Sequence, residues 1–103
     1  MFVRVSRGRF AADKYDELAD RLRAAEKVVS PEIRHLPGLI DYYAGMDHDS
    51  NSMIRVSIWD TRNHSDAMST LPAILALRDE FEAAGVEWES IDTYDVAWWV
   101  QSS

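Results

Sequence analysis

The stretch Met53-Ile-Arg-Val-Ser-Ile-Trp-Asp60 decides the fold, because its side chains alternate between two different sets. Alternation with a period of two is typical of a β-strand whose faces meet different surroundings. One set is aliphatic and the other is mixed in polarity. The aliphatic set is Ile54, Val56 and Ile58, and the mixed set is Met53, Arg55, Ser57 and Trp59. We assign the aliphatic set to the helix-covered side of a sheet and the mixed set to its open face, since an arginine in a dry core is costly.

The residues before this strand predict its hairpin partner. Residues 39–46, LIDYYAGM, are rich in strand formers, and the polar run Asp47-His-Asp-Ser-Asn51 has the composition of a hairpin loop. A turn at Leu36-Pro-Gly38 leads into this second strand.

The flanking segments complete a βαββαβ order. Residues 2–10 predict strand one, and residues 11–29 predict an amphipathic helix that Ser30-Pro31 interrupts. Pro31 could then open one further helical turn through Arg34. Residues 70–85 predict a second helix with an inner stripe of Ile74, Leu77, Phe81 and Ala84, and residues 86–100 predict one long last strand. We therefore expect residues 1–103 to form one α+β domain, with a ferredoxin-like antiparallel sheet and the helices on one face.

Composition excludes several classes of function. The formal net charge of −7 argues against binding to nucleic acid or anionic membranes, which need a basic surface. The absence of cysteine excludes disulfides and thiolate chemistry. Residues 1–10 lack the apolar core of a signal peptide, and no apolar run is long enough to span a bilayer. The expected location is the cytoplasm.

The aromatic content predicts self-association. Four tryptophans are a heavy load for 103 residues, and a sheet face that carries Met53, Arg55 and Trp59 has the composition of an interface. We expect a homodimer through the sheet face, with a cavity between the two sheets. The alternative is a monomer with some exposed aromatic side chains.

Two adjacent segments carry a family resemblance. The run His35-Leu-Pro-Gly-Leu-Ile-Asp-Tyr-Tyr-Ala-Gly45, followed by residues 53–61, resembles the antibiotic biosynthesis monooxygenase-like family of the dimeric α/β barrel superfamily. The matching features are the Pro-Gly turn, the Trp-Asp-Thr exit from strand three and the order of elements. The resemblance implies a two-sheet dimer with one pocket per protomer, between sheet and helices or at the inner face of the barrel. Some members of this family oxidise phenolic polyketides with O₂ and no metal or flavin, others degrade haem, and many have no demonstrated activity.

The haem-degrading members use an asparagine on strand one, a tryptophan near the end of strand three and a histidine that follows it as the iron ligand. Trp59 matches the tryptophan. Strand one offers Ser6 and Arg7 instead of asparagine, and His64 comes early for the ligand. Haem binding or degradation is therefore the third alternative.

The candidate catalytic residues are His64 and Arg55. His64 could act as a general base, or it could be a solvated histidine at a helix start. Arg55 could stabilise an anionic oxygen of a ligand, or it could pair with Asp41 or Asp92. The predicted walls of an aromatic pocket are Trp59, Tyr43, Ser57 and Trp98.

No metal or other cofactor is expected. The Asp47-His48-Asp49 run resembles a metal site, but adjacent residues on an extended loop point in different directions, and a hairpin loop needs polar residues anyway. The predicted function is a cofactor-independent monooxygenase acting on a small aromatic or quinol substrate. The alternative from another class is a non-catalytic dimer that binds a small molecule.

Overall fold

The computed structural model describes residues 1–102 as a five-stranded antiparallel sheet with helices packed on one face. The strands are β1 (Phe2–Arg9), β2 (Leu39–Asp47), β3 (Ser52–Trp59), β4 (Glu87–Trp88) and β5 (Asp92–Asp95). The helices are α1 (Tyr15–Ile33), α2 (Arg62–Asp66) and α3 (Pro72–Ala83), with short 3₁₀ segments at Ala12–Lys14 and Ala67–Ser69. The predicted α+β, ferredoxin-like architecture is confirmed. Within these residues no helix is both long and apolar enough to cross a bilayer.

The sheet has the order β2-β3-β1-β4, and β5 continues along the same edge of β1. The β1–β3 pair is central and runs in unbroken register from Phe2 opposite Trp59 to Arg9 opposite Ser52. The predicted hairpin joins β2 and β3, with one register irregularity between Leu39 and Asp41.

The prediction of which face of β3 lies under the helices is wrong. Met53, Arg55, Ser57 and Trp59 are the buried set and face the helices, while Ile54 is exposed and Val56 and Ile58 are partly buried on the open face. Alternation identifies the residues that share a face, but it does not say which face the helices cover. The prediction put the arginine outside because of its charge, whereas the structure places it in a polar cavity on the covered side.

The helix boundaries differ from the prediction at Pro31. The helix does not stop at Ser30 but continues through Pro31 to Ile33 as part of α1. A proline this close to the end of a helix removes only one hydrogen bond. Val29 and Ile33, four residues apart, are both buried. Their burial offsets that loss.

The last strand is shorter than predicted. Only residues 87–88 and 92–95 are regular strand, and Asp95 lies opposite Phe2, the first residue of β1. Beyond that point the Val96 N–H still donates to the Met1 carbonyl at 3.0 Å, and the chain of β1 ends there. Trp98 and Trp99 therefore lie outside the sheet, and Trp98 is 79% exposed.

The apolar core lies between the sheet and the two long helices. Leu18 of α1 and Phe81 of α3 are almost wholly buried against Trp59 at the end of β3. Three residues of the predicted α3 stripe, Ile74, Leu77 and Phe81, are buried as expected, and Ala84 packs at the margin.

The opposite face of the sheet is uncovered and aliphatic at its centre. Val3 lies opposite Ile58, and Val5 lies opposite Val56, so the β-branched side chains form a continuous patch. Tyr43 and Tyr94 flank the patch and are 55% and 56% exposed. We call these residues with Ile54 the open sheet face.

Gly8 is required by close packing between β1 and β4. A methyl group at this position would collide with Val86 and approach the Trp88 ring to 2.9 Å. We predict that Gly8→Ala lowers the free energy of unfolding by about 1–3 kcal/mol, the usual cost of overpacking. Gly45→Ala is the matched control, since nothing lies within 4 Å of its added methyl group. Chemical denaturation of both variants measures the difference, and equal stabilities would contradict this account of Gly8.

Candidate functional site

Polar side chains occupy the helix side of the central strand pair, where a core is usually apolar. Arg4 lies opposite Ser57, and Ser6 lies opposite Arg55, so arginine and serine alternate both along and across β1 and β3. All four are buried. The strict β1–β3 register is what gathers them at one place.

A cavity of about 160 Å³ opens over this polar cluster. It lies between the sheet and the segment formed by the 67–69 turn and α3. Its lining residues are Arg4, Ser6, Tyr42, Arg55, Ser57, Met68, Ser69, Ile74, Leu75, Arg78 and Ile91. We call it the arginine cavity, because three guanidinium groups reach it.

Arg55 is the most deeply buried cation of the cavity, with only 6% of its surface exposed. It donates a hydrogen bond to the Ser6 hydroxyl at 3.3 Å, and its guanidinium carbon lies 5.0 Å from the centre of the Trp88 ring. Its Nε is buried without a hydrogen-bond partner. Burial lowers the pKa of Arg55 from its ordinary value, and the repulsion from Arg78 adds to this effect. Guanidinium groups nevertheless stay protonated in proteins.

The other two arginines also lack an acidic partner. Arg4 donates to the Ser69 hydroxyl at 2.9 Å, and burial and the charge of Arg55 lower its pKa. The guanidinium carbon of Arg78 lies 6.0 Å from the centre of the Trp88 ring. The Trp88 indole N–H donates to the Arg78 backbone carbonyl at 3.2 Å. Within residues 1–102, no carboxylate lies at ion-pair distance from any of the three.

The acids expected to pair with Arg55 lie on the other side of the sheet. Asp41 is opposite Ile58, and Asp92 is opposite Val5, which places both on the open sheet face. The structural ion pair considered from the sequence is therefore absent from the described part of the chain.

Tyr42 lies between the arginine cavity and a larger apolar groove, which runs between α1 and β2. The groove has a volume of about 580 Å³, and Tyr42 is the one side chain that lines both spaces. Burial raises the pKa of the Tyr42 hydroxyl, and the positive charge of Arg55 offsets part of that rise. The groove is lined by Tyr15, Ala19, Leu22, Arg23, Ala25, Glu26, Val29, Ser30, Ile33, Arg34, Leu39, Tyr42, Ala44, Met46 and Leu77.

Two predicted wall residues lie at the cavity but in different roles. The Ser57 hydroxyl lines the cavity and accepts a hydrogen bond from the Trp59 indole N–H at 2.7 Å. Trp59 is 0% exposed and belongs to the core beneath Ser57. It orients Ser57 and is not itself among the lining residues.

The remaining predicted site residues lie elsewhere. His64 bonds to the Asp60 carboxylate at 2.7 Å and lines neither space. This bond lowers the pKa of Asp60. Both side chains cover Gly38, where any Cβ would collide with them.

Tyr43 is on the open sheet face, and Trp98 is in the exposed tail, so the structure does not bring them to Arg55.

The described residues do not bring the predicted haem ligand to either space. The one histidine suggested as an iron ligand, His64, is bonded to Asp60 outside both spaces, and neither lining contains a histidine. In the described part of the chain, no group of three or more His, Cys, Asp or Glu side chains could hold a metal ion.

Sequence reasoning missed Arg4, Tyr42 and Arg78 as parts of the site, whereas it included Trp88 among the aromatic residues that could line a pocket. A signal for Arg4 was present, because it shares a strand face with Ser6, just as Arg55 shares one with Ser57. Two inward rows that each combine arginine and serine indicate a polar cavity once the strands are paired. Arg78 had no such signal, since its position depends on how α3 packs on the sheet.

Comparisons with known proteins give the fold but not the activity. No family model matches the chain, and no curated protein matches it. Solved structures do match it over almost its whole length. A protein from Deinococcus radiodurans, provisionally named an antibiotic biosynthesis monooxygenase, has a TM-score of 0.75 and 16% identity, covering 100% of this chain and 99% of its own.

Two further structures agree. A provisionally named antibiotic biosynthesis monooxygenase from Nitrosomonas europaea has a TM-score of 0.72 and 18% identity, covering 95% of this chain and 100% of its own. A variant of SnoaB, a cofactor-independent oxygenase from Streptomyces nogalater, has a TM-score of 0.64 and 14% identity, covering 98% of this chain and 97% of its own. The resemblance inferred from the sequence is thus confirmed at the level of the fold: the chain has the α+β fold of the antibiotic biosynthesis monooxygenase-like proteins.

Proposed function

We propose that the protein is a monooxygenase that acts on a small ionisable aromatic or quinol compound without a bound cofactor. The observation that carries this proposal is the arginine cavity, which combines cations that have no acidic partner within residues 1–102 with the apolar side chains of Met68, Ile74 and Ile91. An aromatic ring would pack against these apolar side chains, and its oxygen anion would lie at the cations. The fold shared with SnoaB, a named cofactor-independent oxygenase, is consistent with the proposal but does not establish it.

The arginines favour the ionised form of a bound phenol. A positive charge close to an acidic group lowers the pKa of that group, and the effect is strong where water is excluded. Neither lining contains a histidine, and no carboxylate lines the arginine cavity. The positive charges of Arg55 and Arg4 therefore promote ionisation of the phenol, which is the role for which His64 was predicted. The Ser6 and Ser57 hydroxyls are further donors for the oxygen anion.

The reaction balances without an external reductant. The phenolate carries electron density at its ring carbon, and O₂ forms a carbon–oxygen bond there. The O–O bond then breaks, so that one oxygen atom stays as a quinone carbonyl and the other leaves as water. The substrate supplies all the electrons and both hydrogens of the water. The role of Arg55 is to stabilise negative charge on the substrate oxygen throughout.

The open sheet face supports the proposal of a homodimer. Val3, Val5, Val56 and Ile58 form an aliphatic patch that a partner sheet would bury. Two sheets pack face to face through such β-branched side chains. The interface proposed here uses the opposite side of β3 from the one assigned on sequence grounds. The arginine cavity then lies within each protomer and not between the two sheets.

A second candidate function is non-catalytic binding of the same kind of ligand. The observation in its favour is that no histidine or carboxylate lines the arginine cavity among the described residues. A binding protein would hold the aromatic anion but would not consume O₂.

Substitution of Arg55 tests the oxygenase proposal. In an oxygen electrode with a panel of hydroquinones and anthrones, we expect turnover by the wild type and a fall in kcat/KM of about 100-fold or more in Arg55→Gln. Arg9→Gln is the matched control, because Arg9 is exposed and pairs only with Glu89. Activity that survives dialysis against a chelator supports the absence of a metal.

The outcomes separate the candidates. Turnover in His64→Ala is expected to equal that of the wild type. If His64→Ala is inactive while Arg55→Gln is active, the histidine is the base and our assignment is wrong. Binding without O₂ uptake for every compound of the panel would favour the non-catalytic candidate.

The dimer is tested at Val56. We expect Val56→Glu to convert a dimer into a monomer in sedimentation velocity, because a charge at the centre of the proposed interface would be buried unpaired. Val28→Glu is the control, since Val28 is 67% exposed on α1. A wild type that sediments as a monomer, or a Val56→Glu variant that remains a dimer, would contradict this interface.

A further inference from the structure

We propose that the substrate of the arginine cavity is an aromatic acid, and that its carboxylate binds between Arg4 and Arg78 while its phenolic oxygen lies at Arg55. This inference rests on the proposed function, because it names the class of substrate that the same site would bind. The binding of the acid itself can be measured without turnover.

The charges of the arginine cavity are not balanced by the described side chains. Arg4, Arg55 and Arg78 all line one cavity of about 160 Å³ and have no acidic partner at ion-pair distance within residues 1–102. A phenolate offsets only one of these charges. Two like charges would then remain in a space where their repulsion is poorly screened. A ligand with a second negative group removes this cost.

The arginines of the cavity also supply hydrogen-bond donors. Each guanidinium carries several N–H groups, but the described side chains that accept from them are neutral hydroxyls. Arg4 donates to Ser69 and Arg55 donates to Ser6, and the Tyr42 hydroxyl also interacts with Arg55. The Nε of Arg55 is buried without a partner, and Arg55 is 94% buried, given its 6% exposure. Buried donors are rarely left unpaired in a native protein. An oxyanion inside the cavity would give these guanidinium groups a charged acceptor.

The shape of the anion also matters. A planar carboxylate matches the planar fork of a guanidinium and accepts two parallel hydrogen bonds. The side chains of Met68, Ile74 and Ile91 supply apolar walls around the polar floor. A carboxylate attached to an aromatic ring would use both kinds of surface, whereas free phosphate would use only the cations.

No acidic side chain of the described residues supplies this anion. Asp66 raises the pKa of Arg4 through its charge, but it is exposed and makes no ion pair with Arg4. Asp41 and Asp92 lie on the far face of the sheet. A ligand is therefore the anion that the described part of the chain does not supply itself.

Calorimetric titration without oxygen tests this inference with four ligands: phenol, benzoate, 2-hydroxybenzoate and inorganic phosphate. We expect benzoate and 2-hydroxybenzoate to bind the wild type at least about tenfold more tightly than phenol or phosphate. The reason is that their carboxylate adds a charge-assisted hydrogen bond to the contacts of the ring. In Arg4→Met the ratio of the benzoate affinity to the phenol affinity should fall by about tenfold. Arg9→Met, at an exposed arginine of the same strand, should behave as the wild type.

A thermal unfolding measurement shows whether Arg4→Met is folded. Replacing a buried unpaired cation by an apolar side chain of similar length usually does not destabilise a protein, so Arg4→Met should melt at or above the wild-type temperature without ligand. Benzoate should raise the melting temperature of the wild type and not that of Arg4→Met.

The two proposals fail in different ways. Equal affinities for benzoate and phenol would overturn the aromatic-acid class, while O₂ uptake with neutral phenols would leave the oxygenase proposal intact. Tighter binding of phosphate than of benzoate would also overturn it, in favour of a phosphate site. Tight binding of 2-hydroxybenzoate together with no O₂ uptake by any ligand would support the anion site and remove the oxygenase.

Discussion

The register between β1 and β3 is the constraint on which the rest of this molecule depends. It sets Arg4 against Ser57 and Ser6 against Arg55 on one side, and Val3 against Ile58 and Val5 against Val56 on the other. A shift by one residue would exchange the two sides of a strand completely. The helices would then cover an aliphatic surface, and the arginines would face water. The fold therefore has a cationic cavity only in this register.

The buried arginines show that this sheet is not optimised for stability alone. Removing a cation from water costs several kcal/mol even after the protein relaxes around it. Part of this cost is offset by the Trp88 ring, which lies 5.0 Å from the guanidinium carbon of Arg55, and by the serine hydroxyls. The orphaned Nε of Arg55 marks the part that is not offset. Such local conflict between folding and chemistry is typical of binding sites.

The two faces of the sheet divide the tasks of the protein. The helix side combines a core of Leu18, Trp59 and Phe81 with the arginine cavity, and Trp59 links the two through its hydrogen bond to Ser57. The open side carries an aliphatic patch, with two tyrosines, Asp41 and Asp92 around it. Because β-strands alternate strictly, a single sheet can present these two surfaces without either affecting the composition of the other.

The sequence by itself determined the element order, the antiparallel hairpin, the inner stripe of α3 and the sets of residues that share a strand face. These follow from local periodicity and turn chemistry, which a single segment contains. The sequence also pointed to Arg55 and Ser57. Only the tertiary structure decided that their face lies under the helices, that Arg4, Tyr42 and Arg78 join them, and that His64, Tyr43 and Trp98 do not. The physical reason is that alternation is symmetric between the faces of a sheet, and only the packing of α1 and α3 onto one of them removes that symmetry.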